Sequence, residues 1–157
     1  MKEVKEVIIE EKTCGWRAPI YTSKLVFKIN CIEYKETTEN IEIFPTFKER
    51  NYSYKYNINS NAYIENFNKL VNTIENAYQE LLNGKRVFCI CTDVGVNTIK
   101  VIFNNDEKIE LDFYDPIFET DFYDIGIVIR DMIPKYERIP EMLMTIEELE
   151  LIYGADE

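Results

Sequence analysis

The clearest pattern of apolar and polar residues lies in the middle of the chain. Apolar side chains recur there at steps of three and four residues, at Tyr63, Phe67, Leu70, Ile74, Ala77 and Leu81. Because that spacing places them on one face of an α-helix, we predict a helix over about 61–82. Ser60 or Asn61 can accept hydrogen bonds from the free N–H groups of its first turn. The pair Asn83-Gly84 supplies a left-handed stop at its end.

Before this helix, alternating apolar and polar residues predict four strands, over 4–11, 24–34, 41–44 and 52–58. The polar segment 35–40 is interpreted as the turn between the second and third strands, and Pro45 ends the third. In the fourth, Tyr52, Tyr54 and Tyr56 lie on one face. These rings could form a platform for stacking nucleic-acid bases, but such platforms sit in basic grooves. Packing within the protein is therefore the favoured interpretation.

After the helix, hairpin signals predict three more strands, over 86–91, 98–103 and 108–113. The segment 121–133 contains a β-branched run, but its apolar residues also fit helical spacing. We favour a helix that Asp121 caps and Pro134 ends.

Thr145 and Glu148 have the spacing of a capping box, which predicts a last short helix through about Tyr153, closed by Gly154. This order of elements predicts an α+β fold in a single domain, 1–157. The hairpin signals favour a mainly antiparallel sheet, or sheets, of about six to seven strands with the long helix packed on one face. Two sheets flanking the helix are the alternative.

Composition places the chain among folded globular proteins, with 46% hydrophobic and 30% charged residues. No apolar run approaches the ~20 residues that span a bilayer, and the first residues do not resemble a signal peptide. We therefore expect a cytoplasmic protein that does not bind membranes. The abundance of Ile, Asn, Lys, Tyr and Glu is typical of AT-rich coding, which suggests a low-GC bacterium or a phage or mobile element that lives in one.

Histidine is absent from the chain, and only three serines occur. The absence of histidine removes the usual general base and the Ser–His and Cys–His nucleophile pairs. No serine stands in a GxSxG motif, and no glycine-rich phosphate loop occurs. Residues 33–35 match half of a nuclease metal site, but the upstream aspartate that this chemistry also uses is missing, since the first aspartate is Asp93. We predict no catalytic residue, no cofactor and no enzymatic activity.

The cysteines are Cys14, Cys31, Cys89 and Cys91. A zinc site made from all four is formally possible, but structural zinc sites usually take their cysteines from CxxC turns. In the reducing environment that we expect, these residues are predicted to be structural thiols that bind no metal.

The net charge of −11 is concentrated in the last third of the chain, since residues 106–157 contain sixteen acidic and four basic residues. On the predicted strand 108–113, Glu110 and Asp112 lie on the face opposite Leu111. Carboxylates at this spacing are about 6.8 Å apart, which is about two nucleotide rises along a nucleic acid. Further acids continue the charge along the chain, at Asp115, Glu119, Asp121 and Asp124.

Trp16 and Arg17 form the second candidate contact, because both residue types are enriched at the centres of protein interfaces. The alternative is that Trp16 covers the core.

These observations predict a small acidic binding protein or inhibitor. Glu110, Asp112, Asp115, Glu119, Asp121 and Asp124, with Trp16 and Arg17, would dock on a basic protein surface that otherwise holds nucleic acid. The chain would mimic nucleic acid rather than bind it, as an immunity protein or a phage inhibitor of a defence nuclease could. A carboxylate-based metal-binding or nuclease-like enzyme, a structural assembly subunit and a merely solvated acidic face are the alternatives. A homodimer stays open.

Overall fold

A single antiparallel sheet organises the protein. The structure, a computed structural model, describes residues 3–13, 17–87, 97–114 and 116–154. Its strands are β1 (Val4–Lys12), β2 (Ile20–Lys28), β3 (Cys31–Glu39), β4 (Ser53–Asn57), β5 (Asn97–Phe103) and β6 (Lys108–Phe113). They lie in the order β4-β3-β2-β1-β5-β6, with β4 and β6 as the two edges. The predicted α+β fold is confirmed, and the described strands form one sheet rather than two.

In the described ranges, three α-helices accompany the sheet: α1 (Asn61–Leu82), α2 (Tyr123–Met132) and α3 (Ile146–Tyr153). Short 3₁₀ helices occupy Ile41–Ile43, Ile117–Glu119 and Glu141–Leu143. The long helix has its predicted bounds, because the Ser60 hydroxyl accepts from the Tyr63 N–H at 3.1 Å and Gly84 has a φ of 74°. The predicted capping box of Thr145 and Glu148 begins α3. In the described ranges, no helix combines the length and apolarity that crossing a bilayer would require.

The core lies between one face of the sheet and the helices. Alternate strand residues such as Ile9, Leu25 and Ile99 are fully buried, and they pack in one cluster with α1 residues such as Leu70 and Ile74. Burying each such side chain contributes roughly 1.5–3 kcal/mol. We call this the inner face of the sheet, and the opposite side the outer face.

Three predictions for the first half were wrong. The segment 24–34 is a hairpin, because a two-residue turn at 29–30 separates β2 from β3 and the apolar alternation continues through it. The polar segment 35–40 is mostly strand, since its residues through Glu39 pair with the start of β2. The segment 41–44 is largely 3₁₀ helix, and Ile43 is 65% exposed, so no buried face holds it in a sheet.

In the second half, β5, β6 and α2 confirm the predicted elements. Most of the predicted strand 86–91 lies outside the described residues. Asp121 does not cap α2: the N-cap is Phe122, which makes no side-chain cap hydrogen bond. The Asp121 carboxylate instead accepts from the Val87 N–H at 2.7 Å, because the chain that follows α1 passes beside it.

Candidate partner-binding surface

The predicted acidic strand is β6, an edge of the sheet. Leu111 and Phe113 point to the inner face and are buried, whereas Glu110 is exposed and Asp112 is half-buried on the outer face. The alternation that the sequence predicted is therefore the one that the structure has. Among the described strands, β6 pairs with β5 alone, and its other side is an edge of the described sheet.

Asp112 is the carboxylate with the least internal support in this strand. In the described part of the chain it makes no hydrogen bond or ion pair, whereas Glu110 lies 3.6 Å from the Lys108 ammonium. Burial and then the neighbouring charge of Glu110 raise the pKa of Asp112, and Lys100 offsets this only in part. Ionising Asp112 at neutral pH therefore costs free energy that a cation from outside would offset.

Two of the predicted contacts, Asp121 and Asp124, have structural partners. The Arg86 guanidinium donates to both carboxylate oxygens of Asp124, at 2.9 and 2.8 Å, and to Glu80 at 2.8 Å. Burial alone would raise the pKa of Asp124, but the hydrogen bonds from Arg86 outweigh it and lower this pKa. With Asp121 bound to the Val87 N–H, these two acids fasten the end of α1 to the start of α2.

A cleft of about 210 Å³ opens where β6 ends. It brings Asp112 and Glu119 together with Asp121, and Phe113 and Phe122 are among its lining residues. The Glu119 carboxylate has no partner in the ranges that the structure describes. Acidic groups beside apolar walls suit a lysine or arginine side chain, whose stem is apolar and whose head is charged. Of the predicted acidic contacts described so far, Glu110, Asp112 and Glu119 therefore remain as candidates, together with this cleft.

The remaining predicted contacts are less well placed. Trp16 and Asp115 lie outside the described residues. Arg17 is exposed, with a φ of 62°. The strand register puts the loop between β1 and β2 at the end of the sheet where β6 finishes, since Glu11 pairs with Asn97 and Asn97 pairs with Phe113. The fold therefore puts the Arg17 loop and the acidic cleft at the same end of the sheet.

Cys31 is the one cysteine among the described residues. Cys31 is buried as expected, and burial followed by the charge of Glu33 raises its pKa. Cys14, Cys89 and Cys91 lie outside the described residues. Glu33 lies 3.4 Å from Lys55 and 3.9 Å from Lys28. Among described side chains, no group of three potential ligands could hold a metal ion.

The tyrosine ladder packs within the protein, as the favoured interpretation expected. The rings of Tyr34 and Tyr54 have centroids 5.3 Å apart, and Tyr54 also contacts the rings of Tyr52 and Tyr56. The hydroxyls of Tyr52 and Tyr56 both donate to the Glu137 carboxylate.

One feature was missed by the sequence reasoning: a row of buried polar side chains across four strands. The buried polar or charged residues in the described ranges are Glu11, Ser23, Glu36 and Asn97, and the strand register places all four side by side. Glu36 accepts from the Tyr34 hydroxyl at 2.7 Å and from Arg138 at 2.8 Å. Position along the strand could have revealed the row, because each member lies two residues from an inward apolar residue.

No protein-family model, curated protein or solved structure matches the chain.

Proposed function

We propose that the protein is a binding protein whose acidic surface (Glu110, Asp112 and Glu119) docks on a positively charged site of a partner protein. The observation that supports this most directly is Asp112, an ionisable carboxylate on an exposed edge strand with a raised pKa and no ion-pair partner among described residues. Like charges placed together reduce stability unless a counter-charge offsets them. A cationic partner would supply that counter-charge.

The form of the surface favours a partner site that otherwise holds nucleic acid. Glu110 and Asp112 project from one strand face, so their carboxylates are about 6.8 Å apart, which is about two nucleotide rises along a nucleic acid. The cleft with Glu119 adds a recess in which one lysine or arginine of the partner can be enclosed. The protein would then act as an inhibitor that occupies a nucleic-acid site without being a substrate.

Charged residues at the rim of an interface act mainly on the rate of association, and their effect falls as the salt concentration rises. The test is to isolate the binding partner from the native host at low salt, purify it, and measure association rates across salt concentrations. Asp112→Lys/Glu119→Lys should slow association about tenfold or more and flatten its salt dependence. Nucleic acid should compete with the wild-type protein for the partner.

Glu65→Lys/Glu150→Lys is the matched control, because it changes the net charge equally at exposed positions of α1 and α3. It should alter the association rate far less than the cleft pair. A partner whose contact site is acidic or apolar, or an equal response to the two pairs of reversals, would contradict the proposal.

A further inference from the structure

The outer face of the sheet is open in the described part of the molecule. The buried residues of the helices pack with inward strand residues, and outward residues such as Ile8 and Val26 take no part in that cluster. Lys24, Lys35 and Lys55 are exposed on this face. This six-stranded surface is available to another molecule.

Two rows of outward side chains cross all six strands, read from β4 to β6. The central row is Lys55, Glu33, Val26, Ile8, Lys100 and Glu110. The lower row is Ser53, Lys35, Lys24, Glu10, Thr98 and Asp112. In these rows the half formed by β2, β3 and β4 contains three lysines and one glutamate. The half formed by β1, β5 and β6 contains three acids and one lysine.

We propose that this face binds a second copy of the chain. The twofold axis would run parallel to the strands between β1 and β2, so that β4 of one copy lies over β6 of the other, and β3 lies over β5. In the central row Lys55 would then meet Glu110, Glu33 would meet Lys100, and Val26 would meet Ile8. A twofold interface forms each of these contacts twice.

The lower row matches in the same way. Lys24 would meet Glu10, Ser53 would meet Asp112, and Lys35 would meet the hydroxyl of Thr98. In neither row does a charge meet a like charge. A twofold axis that runs across the strands through the central row would instead lay each strand over its own copy, so that Lys55 would face Lys55 and Glu110 would face Glu110. Charge complementarity therefore selects both the occupant and its orientation.

The area of the outer face sets the affinity that we expect for the dimer. Six strands span about 29 Å, and with a height of about 20 Å they bury about 600 Å² on each copy. The total is at the low end of stable interfaces, and much of it is charged. We therefore expect a dimer with a micromolar dissociation constant that weakens as salt rises.

The dimer does not depend on the proposed function. It would cover Glu110 and Asp112, so a second copy and a basic partner would compete for the acidic strand. A test made on the purified chain alone can therefore fail without touching the partner proposal, and the reverse also holds.

The experiment is sedimentation velocity from about 1 to about 200 µM, a range that spans a micromolar dissociation constant. The wild-type protein should dimerise, and less so at about 500 mM than at about 50 mM salt. Lys55→Glu and Glu110→Lys should each raise the dissociation constant about tenfold, because two attractive contacts become repulsive. Lys69→Glu, at an exposed position of α1, is the control with an equal charge change.

The decisive measurement is whether dimerisation is recovered when both charges are reversed. Lys55 and Glu110 lie on opposite edge strands, about 24 Å apart, which is well beyond the Debye length at about 0.1 M salt. Any recovery in Lys55→Glu/Glu110→Lys, or in an equimolar mixture of the two single variants, must therefore arise between copies. A monomer at about 200 µM, single variants that match Lys69→Glu, or no recovery would each overturn the dimer.

Discussion

The two edges of the sheet treat charge in opposite ways. At β4, Glu137 accepts hydrogen bonds from two tyrosines, while Arg138 pairs with buried Glu36 and lies 4.7 Å from the centre of the Tyr52 ring. At β6, Asp112 has no such partner in the described part of the chain. Where a charged group is paired within the protein, a substitution should cost stability. Where a carboxylate has no partner among the described residues, as at Asp112, a substitution should relieve electrostatic repulsion.

The largest effect is expected beside the cleft at the end of β6, at Arg86, which donates to the Asp121 carbonyl. Its side chain is 13% exposed and bridges Asp124 and Glu80. Arg86→Met should lower the free energy of unfolding by about 2–3 kcal/mol in urea denaturation, because partly buried carboxylates lose their counter-charge. Adding Asp124→Asn should recover part of the loss. An unchanged urea midpoint for Arg86→Met would show that the Asp124 carboxylate is free for a partner after all.

A smaller loss is expected at the β4 edge. Arg138→Met should cost about 1–2 kcal/mol, since the Glu36 side chain is only 6% exposed while that of Arg138 is 53% exposed and partly screened by water. Glu36→Gln in the same background removes the buried charge and should regain part of the stability. The measurement is again urea denaturation. If the double variant is no more stable than Arg138→Met, the ion pair is not the cause of the loss.

At the β6 edge, Asp112→Asn should raise the free energy of unfolding, unlike the two substitutions above, by less than about 1 kcal/mol at neutral pH. Folding raises the pKa of Asp112, so its protonation favours the folded state. This contribution to stability is fully present at low pH and is lost as pH rises through the folded pKa. The gain from Asp112→Asn should therefore shrink as the wild-type carboxyl becomes protonated. Thermal melts of both proteins from neutral to acidic pH will check this, and a destabilised variant would contradict it.

The smallest effect concerns pH at the β4 edge. The hydroxyls of Tyr52 and Tyr56 lower the pKa of Glu137. Its contribution to stability is therefore present above its unfolded pKa and lost as pH falls through the lower folded value. The protection of the amides in 135–138, measured as exchange relative to the intrinsic rate at the same pH, should fall at acidic pH in the wild-type protein, and Glu137→Gln should show that lower protection already at neutral pH. Protection that is indifferent to pH would mean that other contacts hold this loop.

Much of the fold could be predicted because the spacing of apolar residues and the capping residues in the sequence agree with the elements that the folded protein forms. The long helix and its ends followed from spacing and from Ser60 and Gly84, and the last helix followed from its capping box. The hairpin at 29–30 was missed because neither turn residue is a glycine or proline. Segment 41–44 has the composition of a strand, but tertiary contacts leave Ile43 exposed.

The acidic surface was predictable only in part. Strand alternation identified the outward face of Glu110 and Asp112, which depends on neighbours in sequence. It could not reveal that Arg86 neutralises Asp124, because that contact joins residues 38 positions apart. The pairing of Arg138 with Glu36, 102 positions apart, was hidden for the same reason. Charge counts along a chain therefore overestimate how much of an acidic segment is free to bind.

The buried row of Glu11, Ser23, Glu36 and Asn97 has a consequence for how the sheet assembles. A strand that slips by two residues keeps its apolar side chains inward, so hydrophobic burial alone distinguishes the alternatives weakly. Here such a slip would move Glu11 or Glu36 beside Ile9 and Leu25, whose side chains have no hydrogen-bond donor. The polar row therefore favours the native register, in which the described carboxylates of Glu11 and Glu36 both accept hydrogen bonds.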